Sequence, residues 1–132
     1  MIFIDTSAIY ALADRADVNH SSAVRALKHA VIGGEQLLTH NYVVLESLAL
    51  LHRRLGFQVV HKFLNDTEKF QIRWIDQALH SDAVRRFSEK KGSVSVVDEV
   101  SFLVMEELRI GEAFAFDADF EKRGFRLYRP SV

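Results

Sequence analysis

Four acidic side chains, widely spaced along the 132-residue chain, are of the type that divalent-metal chemistry requires. They are Asp5, Glu46, Asp98 and Asp117. Carboxylates gathered at one place repel one another unless a cation lies between them, and their hard oxygen atoms select Mg²⁺ or Mn²⁺. An ion held in this way lowers the pKa of a bound water and stabilises the charge of an in-line phosphoryl displacement. Together, the four acids predict a catalytic metal site.

Two of these acids follow short apolar runs. Asp5 comes directly after residues 1–4, and Asp117 comes directly after residues 113–116. Such runs predict buried strands. Each acid also has a purely structural interpretation, Asp5 as a helix N-cap and Asp117 as a turn residue, and the sequence leaves both open. Asp119 is expected to cap a short helix.

The other two acids belong to predicted helices. Glu46 lies in the apolar stretch 43–51, which predicts a mostly buried helix, and a buried carboxylate requires a positive partner. That partner is either a cation or an arginine, unless Glu46 lies on a narrow solvated stripe. Asp98 follows Ser95 by three residues, as in a capping box, and a capping carboxylate keeps acceptor sites for a metal. Three further acids are expected on the solvated helix surface: Glu99, Glu106 and Glu107.

The elements that must position these acids alternate along the chain. Strands are predicted at 1–5, 36–39, 71–75, 113–116 and 125–128. Helices are predicted at 18–32, 42–55, 57–70, 78–90 and 96–108, with further helical spacing at Ile9, Leu12 and Ala13. This alternation predicts an α/β fold, a three-layer α/β/α sandwich around a short parallel sheet. Such sheets bind ligands beyond the carboxyl ends of their strands.

The composition fits one soluble globular domain spanning 1–132, with 48% apolar and 27% charged residues. The absence of cysteine excludes thiolate zinc sites and disulfides. A net charge of −1 argues against a protein that coats nucleic acid. Neither a signal-peptide pattern nor a membrane-spanning apolar run is seen, so a cytoplasmic location is expected. A local basic rim could come from Arg15, Arg53, Arg54, Arg86, Lys90, Lys91, Lys122 or Arg123.

Four short segments, in their order and spacing, form a specific pattern over the whole chain. They are Phe3-Ile4-Asp5-Thr6-Ser7, Val43-Val44-Leu45-Glu46, Ser95-Val96-Val97-Asp98 with Ser101-Phe102, and Phe116-Asp117-Ala118-Asp119-Phe120 with Gly124-Phe125. With these segments the chain resembles the PIN-domain family, and most closely the small VapC-like toxins of bacterial and archaeal toxin–antitoxin pairs.

The resemblance implies a function and a set of site residues. It makes Asp5, Glu46, Asp98 and Asp117 the ligands of one or two Mg²⁺ or Mn²⁺ ions. It also implies hydrolysis of RNA phosphodiester bonds by an activated water. Thr6 or Ser7 would help to orient a ligand or water, and Asp119 would be an outer acid. A homodimer and a small antitoxin that covers the active-site groove are further implications of the family, whereas the RNA target is not implied.

Three other functions fit the sequence less well. A haloacid dehalogenase-like phosphatase needs a second aspartate where Ser7 stands, and a receiver domain would have only Asp76 to phosphorylate. A zinc hydrolase lacks its H-E-x-x-H spacing. The six histidines are expected at the surface or at helix ends: His20, His29, His40, His52, His61 and His80. The remaining alternative is a catalytically silent PIN-like module that binds RNA or a protein.

Overall fold

A computed structural model describes residues 1–130, which include a sheet of five parallel strands. The strands are Ile2–Ile4 (β1), Leu37–His40 (β2), Gln71–Arg73 (β3), Glu112–Phe114 (β4) and Arg126–Leu127 (β5). Their order in the sheet is β3-β2-β1-β4-β5. Phe3 of β1 is paired with Leu38 on one side and with Ala113 on the other, so β1 is the central strand.

Helices supply the crossovers that parallel strands require. Within the described part of the chain they are Thr6–Ala13 (α1), His20–Ile32 (α2), Asn41–Leu55 (α3), Phe57–Asp66 (α4), Gln77–Glu89 (α5), Val96–Leu108 (α6) and Asp119–Lys122 (α7). The predicted α/β sandwich around a parallel sheet is confirmed. The predicted helix 57–70 is shorter than expected, because its last turn tightens into a 3₁₀ helix at Thr67–Lys69. None of the described helices is long and apolar enough to cross a membrane.

The sheet is covered on both faces, so β1 is apolar at every position rather than at alternate ones. Ile2, Phe3 and Ile4 are all buried, and the buried residues of α6 and β4 continue the same apolar core. This burial fixes the end of β1 firmly, and therefore the position of the residue that follows it, Asp5.

The strand order creates a crevice at the carboxyl edge of the sheet. After β1 the chain builds outward through β2 and β3, and it later returns to the other side of β1 to form β4 and β5. The connections that leave β1 and β4 therefore diverge, and α/β folds bind ligands at this kind of switch point. Asp5 follows β1, and Asp117 lies three residues beyond the end of β4.

His40, at the end of β2, is buried beneath this edge. Its Nδ1 accepts a hydrogen bond from the Val43 N–H at 3.3 Å and so caps α3, while its Nε2 lies 2.9 Å from the Ser101 hydroxyl in α6. The helix-end position was expected, but the complete burial was not. Burial lowers the pKa of His40 to about 3. The neutral imidazole thus connects β2 to the helices that carry Glu46 and Asp98.

Helix α3 is buried on one face only, so the prediction of a mostly buried helix is wrong. Val43, Ser47 and Leu51 are buried, and Ser47 donates to Thr6 of α1, whereas Leu45 is 67% exposed. Apolar side chains of the open face and of the β3 edge line a groove of about 440 Å³ that includes Trp74. The apolar sequence of α3 therefore reflects an open apolar surface as well as a core contact.

Candidate metal centre

Three carboxylates converge where α6 meets the segment after β4. Asp98, Asp117 and Asp119 each offer an oxygen atom, and these atoms all lie within 4.8 Å of one another. Asp98 is held in the first turn of α6, where its N–H donates to the Ser95 hydroxyl at 3.0 Å. Asp117 is held by a turn in which its Oδ1 accepts the Asp119 N–H at 2.9 Å. Local hydrogen bonds thus place all three acids.

Asp5 lies beside this group at the end of β1. It is 5% exposed, and its Oδ2 accepts hydrogen bonds from the Ser7 N–H at 3.1 Å and the Ser7 hydroxyl at 2.7 Å. Burial raises the pKa of Asp5, and the negative charges of Asp117 and Glu46 raise it further. Asp5 therefore caps α1, as its structural interpretation predicts, and also belongs electrostatically to the acidic group.

The Ser7 hydroxyl connects the two strand ends. It donates to Asp5 and accepts from the Phe116 N–H at 2.9 Å, one residue before Asp117. Thr6 has a different position, because its hydroxyl accepts from Ser47 at 3.4 Å and joins α1 to α3. Of the two proposed auxiliary residues, Ser7 is the one bonded to a carboxylate.

The acidic group lacks compensating positive charge. Burial and the charges of Asp5 and Asp117 raise the pKa of Asp98 to about 7. Over residues 1–130, no lysine or arginine forms an ion pair with Asp5, Asp98 or Asp117, and Asp119 has only a 3.9 Å contact with the exposed Lys122. An all-oxygen, uncompensated cluster fits a hard divalent cation such as Mg²⁺ or Mn²⁺.

Glu46 is placed differently from the expectation. Its side chain is exposed on the open side of α3, so the sequence argument that its burial requires a cation is wrong. Its carboxylate does not belong to the close group of three. It remains near enough to Asp5 for its charge to raise the pKa of that carboxyl. Its place near the site is consistent with the start of α3 directly after β2, the neighbour of β1 in the sheet.

Glu99 was expected in solvent and is instead fully buried, so that prediction is wrong. The Arg123 guanidinium donates to both of its oxygens, at 2.8 and 3.1 Å, and holds the pKa of Glu99 below its usual range. Asp119 also differs from its prediction, because Ala118 is the N-cap and Asp119 is the first residue of α7. Only the packing of α7 against α6, which local sequence does not reveal, distinguishes Glu99 from a surface acid.

Part of the proposed basic rim is already engaged in ion pairs. Arg86 pairs with Glu106 at 3.3 Å, and Lys90 and Arg123 both pair with Glu99. The carboxylates do not line the apolar groove, nor do they line a cavity of about 250 Å³ beside Arg73. Asp98, Asp117 and Asp119 are each half-buried, so the acidic group is partly accessible from the surface.

A family profile, a sequence relative and a solved structure all match this chain over nearly its whole length. The profile of the PIN domain matches residues 2–126. The 23S rRNA-specific endonuclease VapC20 of Mycobacterium tuberculosis, from strains CDC 1551 and H37Rv, is 34% identical over 137 aligned residues, 98% of this chain and 99% of that protein. The crystal structure of M. tuberculosis VapC20, described as a sarcin–ricin loop cleaving toxin, superposes with a TM-score of 0.84. That superposition has 29% identity and covers 98% of this chain and 100% of the other.

Proposed function

Because the chain belongs to the PIN-domain family, as its motifs predicted, we propose that it is a metal-dependent endoribonuclease and the toxin of a type II toxin–antitoxin pair. The observation that carries this function is the convergence of the Asp98, Asp117 and Asp119 oxygens within 4.8 Å, beside a buried Asp5 and without a pairing cation. A module that only binds RNA or a protein does not require a group of carboxylates that repel one another.

We assign the binding of one or two Mg²⁺ or Mn²⁺ ions to Asp5, Glu46, Asp98 and Asp117. We add Asp119 because its oxygen lies within 4.8 Å of those of Asp98 and Asp117. When bound, the ion supplies an activated water and charge stabilisation for phosphodiester hydrolysis. The chain itself fixes the ligands in advance: Ser7 orients Asp5, the Ser95 cap places Asp98 and the Asp117 turn places Asp119. Such preorganisation keeps the donor atoms in place before the cation arrives.

The substrate that we propose is structured ribosomal RNA. Two observations support it, the 34% identity to a 23S rRNA-specific endonuclease over nearly the whole chain and the partial exposure of Asp98, Asp117 and Asp119. RNA loops expose unstacked bases and backbone to proteins, so partly exposed carboxylates are able to reach a phosphodiester there. The sarcin–ricin loop, which the related toxin is described as cleaving, is the first oligonucleotide to test.

The test is cleavage of total RNA and of intact ribosomes by the purified protein with Mg²⁺ or Mn²⁺. We expect discrete fragments, mapped by primer extension, that disappear when EDTA replaces the metal. Binding of RNA without any cleavage at all metal concentrations would instead support the silent module. Cleavage that persists in EDTA would contradict the metal mechanism while leaving the nuclease assignment intact.

Partners and location are further parts of the proposal. We propose a small antitoxin protein as the inhibitor, a homodimer as the assembly, a single PIN-like domain over 1–132 and the cytoplasm as the location. The family supports the antitoxin and the homodimer. The match over residues 2–126 supports the single domain, and a ribosomal RNA substrate supports the cytoplasm. Light scattering of the purified chain tests the homodimer. The same measurement with the small protein encoded next to it added tests the antitoxin complex.

Ser7→Ala tests the link between the two strand ends. The substitution leaves the Phe116 N–H without its partner and leaves Asp5 Oδ2 with only the Ser7 N–H, so we expect a loss of about 1–2 kcal/mol in the free energy of unfolding. We also expect cleavage to slow by about 10- to 100-fold, as when a partner of a metal ligand is removed. Ser21→Ala, at an exposed helical serine, is the matched control. Equal activity in the two variants would show that Ser7 does not orient Asp5.

A further inference from the structure

We propose that the buried Glu99–Arg123 ion pair is a positioning device that fixes α7 against α6 and thereby sets the spacing of the metal-binding carboxylates. This inference rests on the proposed function, since it concerns the same metal centre. It assigns a role to two residues that lie outside the carboxylate group and that the proposed reaction does not itself use.

The geometry of the pair is that of a rigid clamp. Both Glu99 oxygens are engaged by the two terminal nitrogens of Arg123, at 2.8 and 3.1 Å, and the Lys90 ammonium lies 3.9 Å from the same carboxylate. Glu99 has no exposed side-chain surface, and Arg123 has 20%. A two-point contact between planar groups fixes direction as well as distance. Burying such a pair gains little stability over apolar residues of similar size, which leaves position as the property that it supplies.

Aromatic packing holds Arg123 in one place. Its guanidinium lies 4.4 Å from the centre of the Phe102 ring, which belongs to α6. Phe102 in turn contacts Phe120 of α7 edge-on at 5.0 Å and stacks with Phe125 at 5.9 Å. The guanidinium therefore lies between a buried carboxylate and a buried ring, both on α6.

Helix α7 requires an external hold of this kind. It has four residues and no side-chain N-cap, and helices this short are not stable by themselves. Asp119 is its first residue, and Arg123 follows its last. On the other helix, Asp98 directly precedes Glu99. The clamp and the carboxylate group thus join the same two elements, so a shift of α7 changes the separation of Asp98 and Asp119.

The clamp also keeps two cations away from the metal-binding carboxylates. Arg123 and Lys90 are directed to Glu99, and neither forms an ion pair with Asp98, Asp117 or Asp119. A guanidinium inside the acidic group would neutralise it and compete with a divalent ion. Pairing these cations with Glu99, one residue away from Asp98, keeps their charges out of the acidic group.

The test measures Mn²⁺ binding without RNA, by calorimetric titration of the full-length protein, together with kcat and KM for cleavage. For Glu99→Gln and Arg123→Lys we expect Mn²⁺ affinity to fall by about 10-fold, the lower end of the range for side chains bonded directly to metal ligands, because the clamp acts through the position of α7. We expect kcat to fall and KM for RNA to change little. The matched control is Glu107→Gln, which removes a second two-point arginine pair on α6, about 13 Å along the helix from Asp98.

A single substitution leaves a buried charge without its partner and is able to unfold the protein. The double variant Glu99→Met, Arg123→Met removes both charges and is expected to remain folded. If it binds Mn²⁺ as tightly as the wild type, the clamp does not position the carboxylates and the inference is overturned. A rise in KM for RNA with unchanged Mn²⁺ affinity in Arg123→Lys also overturns it, because Arg123 would then be a phosphate contact.

Failure of the metal centre and failure of the clamp give different results. If the wild-type protein itself binds no Mn²⁺, the proposed metal centre is wrong and so is the clamp that would serve it. If the wild type binds Mn²⁺ and cleaves RNA but the clamp variants equal the Glu107→Gln control, only the inference about Glu99 and Arg123 is wrong.

Discussion

Replacing Asp98 with asparagine is expected to abolish RNA cleavage while the protein stays folded. The substitution removes a negative charge from the acidic group, whereas the N–H that donates to Ser95 belongs to the backbone and is retained. A divalent ion supplies several kcal/mol of charge stabilisation to the reaction, and each 1.36 kcal/mol is a factor of ten in rate. We therefore expect a loss of at least about a thousandfold, measured as the initial rate of cleavage at fixed Mn²⁺.

Asp5→Asn should have the same effect for the same reason, because an amide oxygen still accepts the Ser7 N–H. The control is Asp76→Asn, since Asp76 also caps a helix, accepting the Leu79 N–H at 2.9 Å, but is not one of the clustered acids. Circular dichroism establishes that each variant is folded. Full activity in both Asp5→Asn and Asp98→Asn would refute the assignment of the metal centre.

Asp98→Asn is also expected to stabilise the metal-free protein, and the gain should grow with pH. The pKa of Asp98 is raised from 3.8 to about 7 in the folded protein. Between about pH 4 and 7 the folded state therefore holds more protons than the unfolded state, so raising the pH across this window lowers the free energy of unfolding. Above about pH 7 the full cost is present, and we expect the variant to gain about 1–2 kcal/mol there, after screening at this half-buried side chain.

The measurement is chemical denaturation of both proteins in EDTA at several pH values, read as the difference between them. His40 acts in the opposite direction, because its pKa is lowered from 6.5 to about 3, so its contribution to stability is lost as the pH falls below about 6.5. That contribution is common to both proteins and cancels in the difference. A stability difference that shrinks as the pH rises would contradict repulsion among the carboxylates.

Bound Mn²⁺ should make the wild type more stable than Asp98→Asn, the reverse of the order without metal. Because a bound cation needs the carboxylates deprotonated, Mn²⁺ should stabilise the wild type more at pH 8 than at pH 6. At a metal concentration about a hundredfold above Kd the gain should be about 2.7 kcal/mol. Asp98→Asn should lose most of this gain.

Glu46→Gln should change the stability of the metal-free protein by no more than about 0.5 kcal/mol, since its carboxylate is exposed.

The sequence by itself determined the fold class and the four acids that the family motifs mark. Alternation of apolar runs with amphipathic stretches is a local property, and the central strands β1 and β2 are buried at every position, so the pattern is visible without any long-range contact. The capping roles of Asp5 and Ser95 were also readable, since a cap bonds to residues two or three positions away.

Only the tertiary structure decided how the acids relate to one another. The strand order places β1 beside β4, which brings Asp5 near Asp117 although 112 residues separate them. The same fold leaves Glu46 exposed and buries Glu99, the reverse of what their sequence neighbours indicated. Burial of a charged side chain depends on the element packed against it. For Glu99 that element is α7 with Arg123 directly after it, whose guanidinium satisfies the charge, and for Glu46 no described element covers the open face of α3.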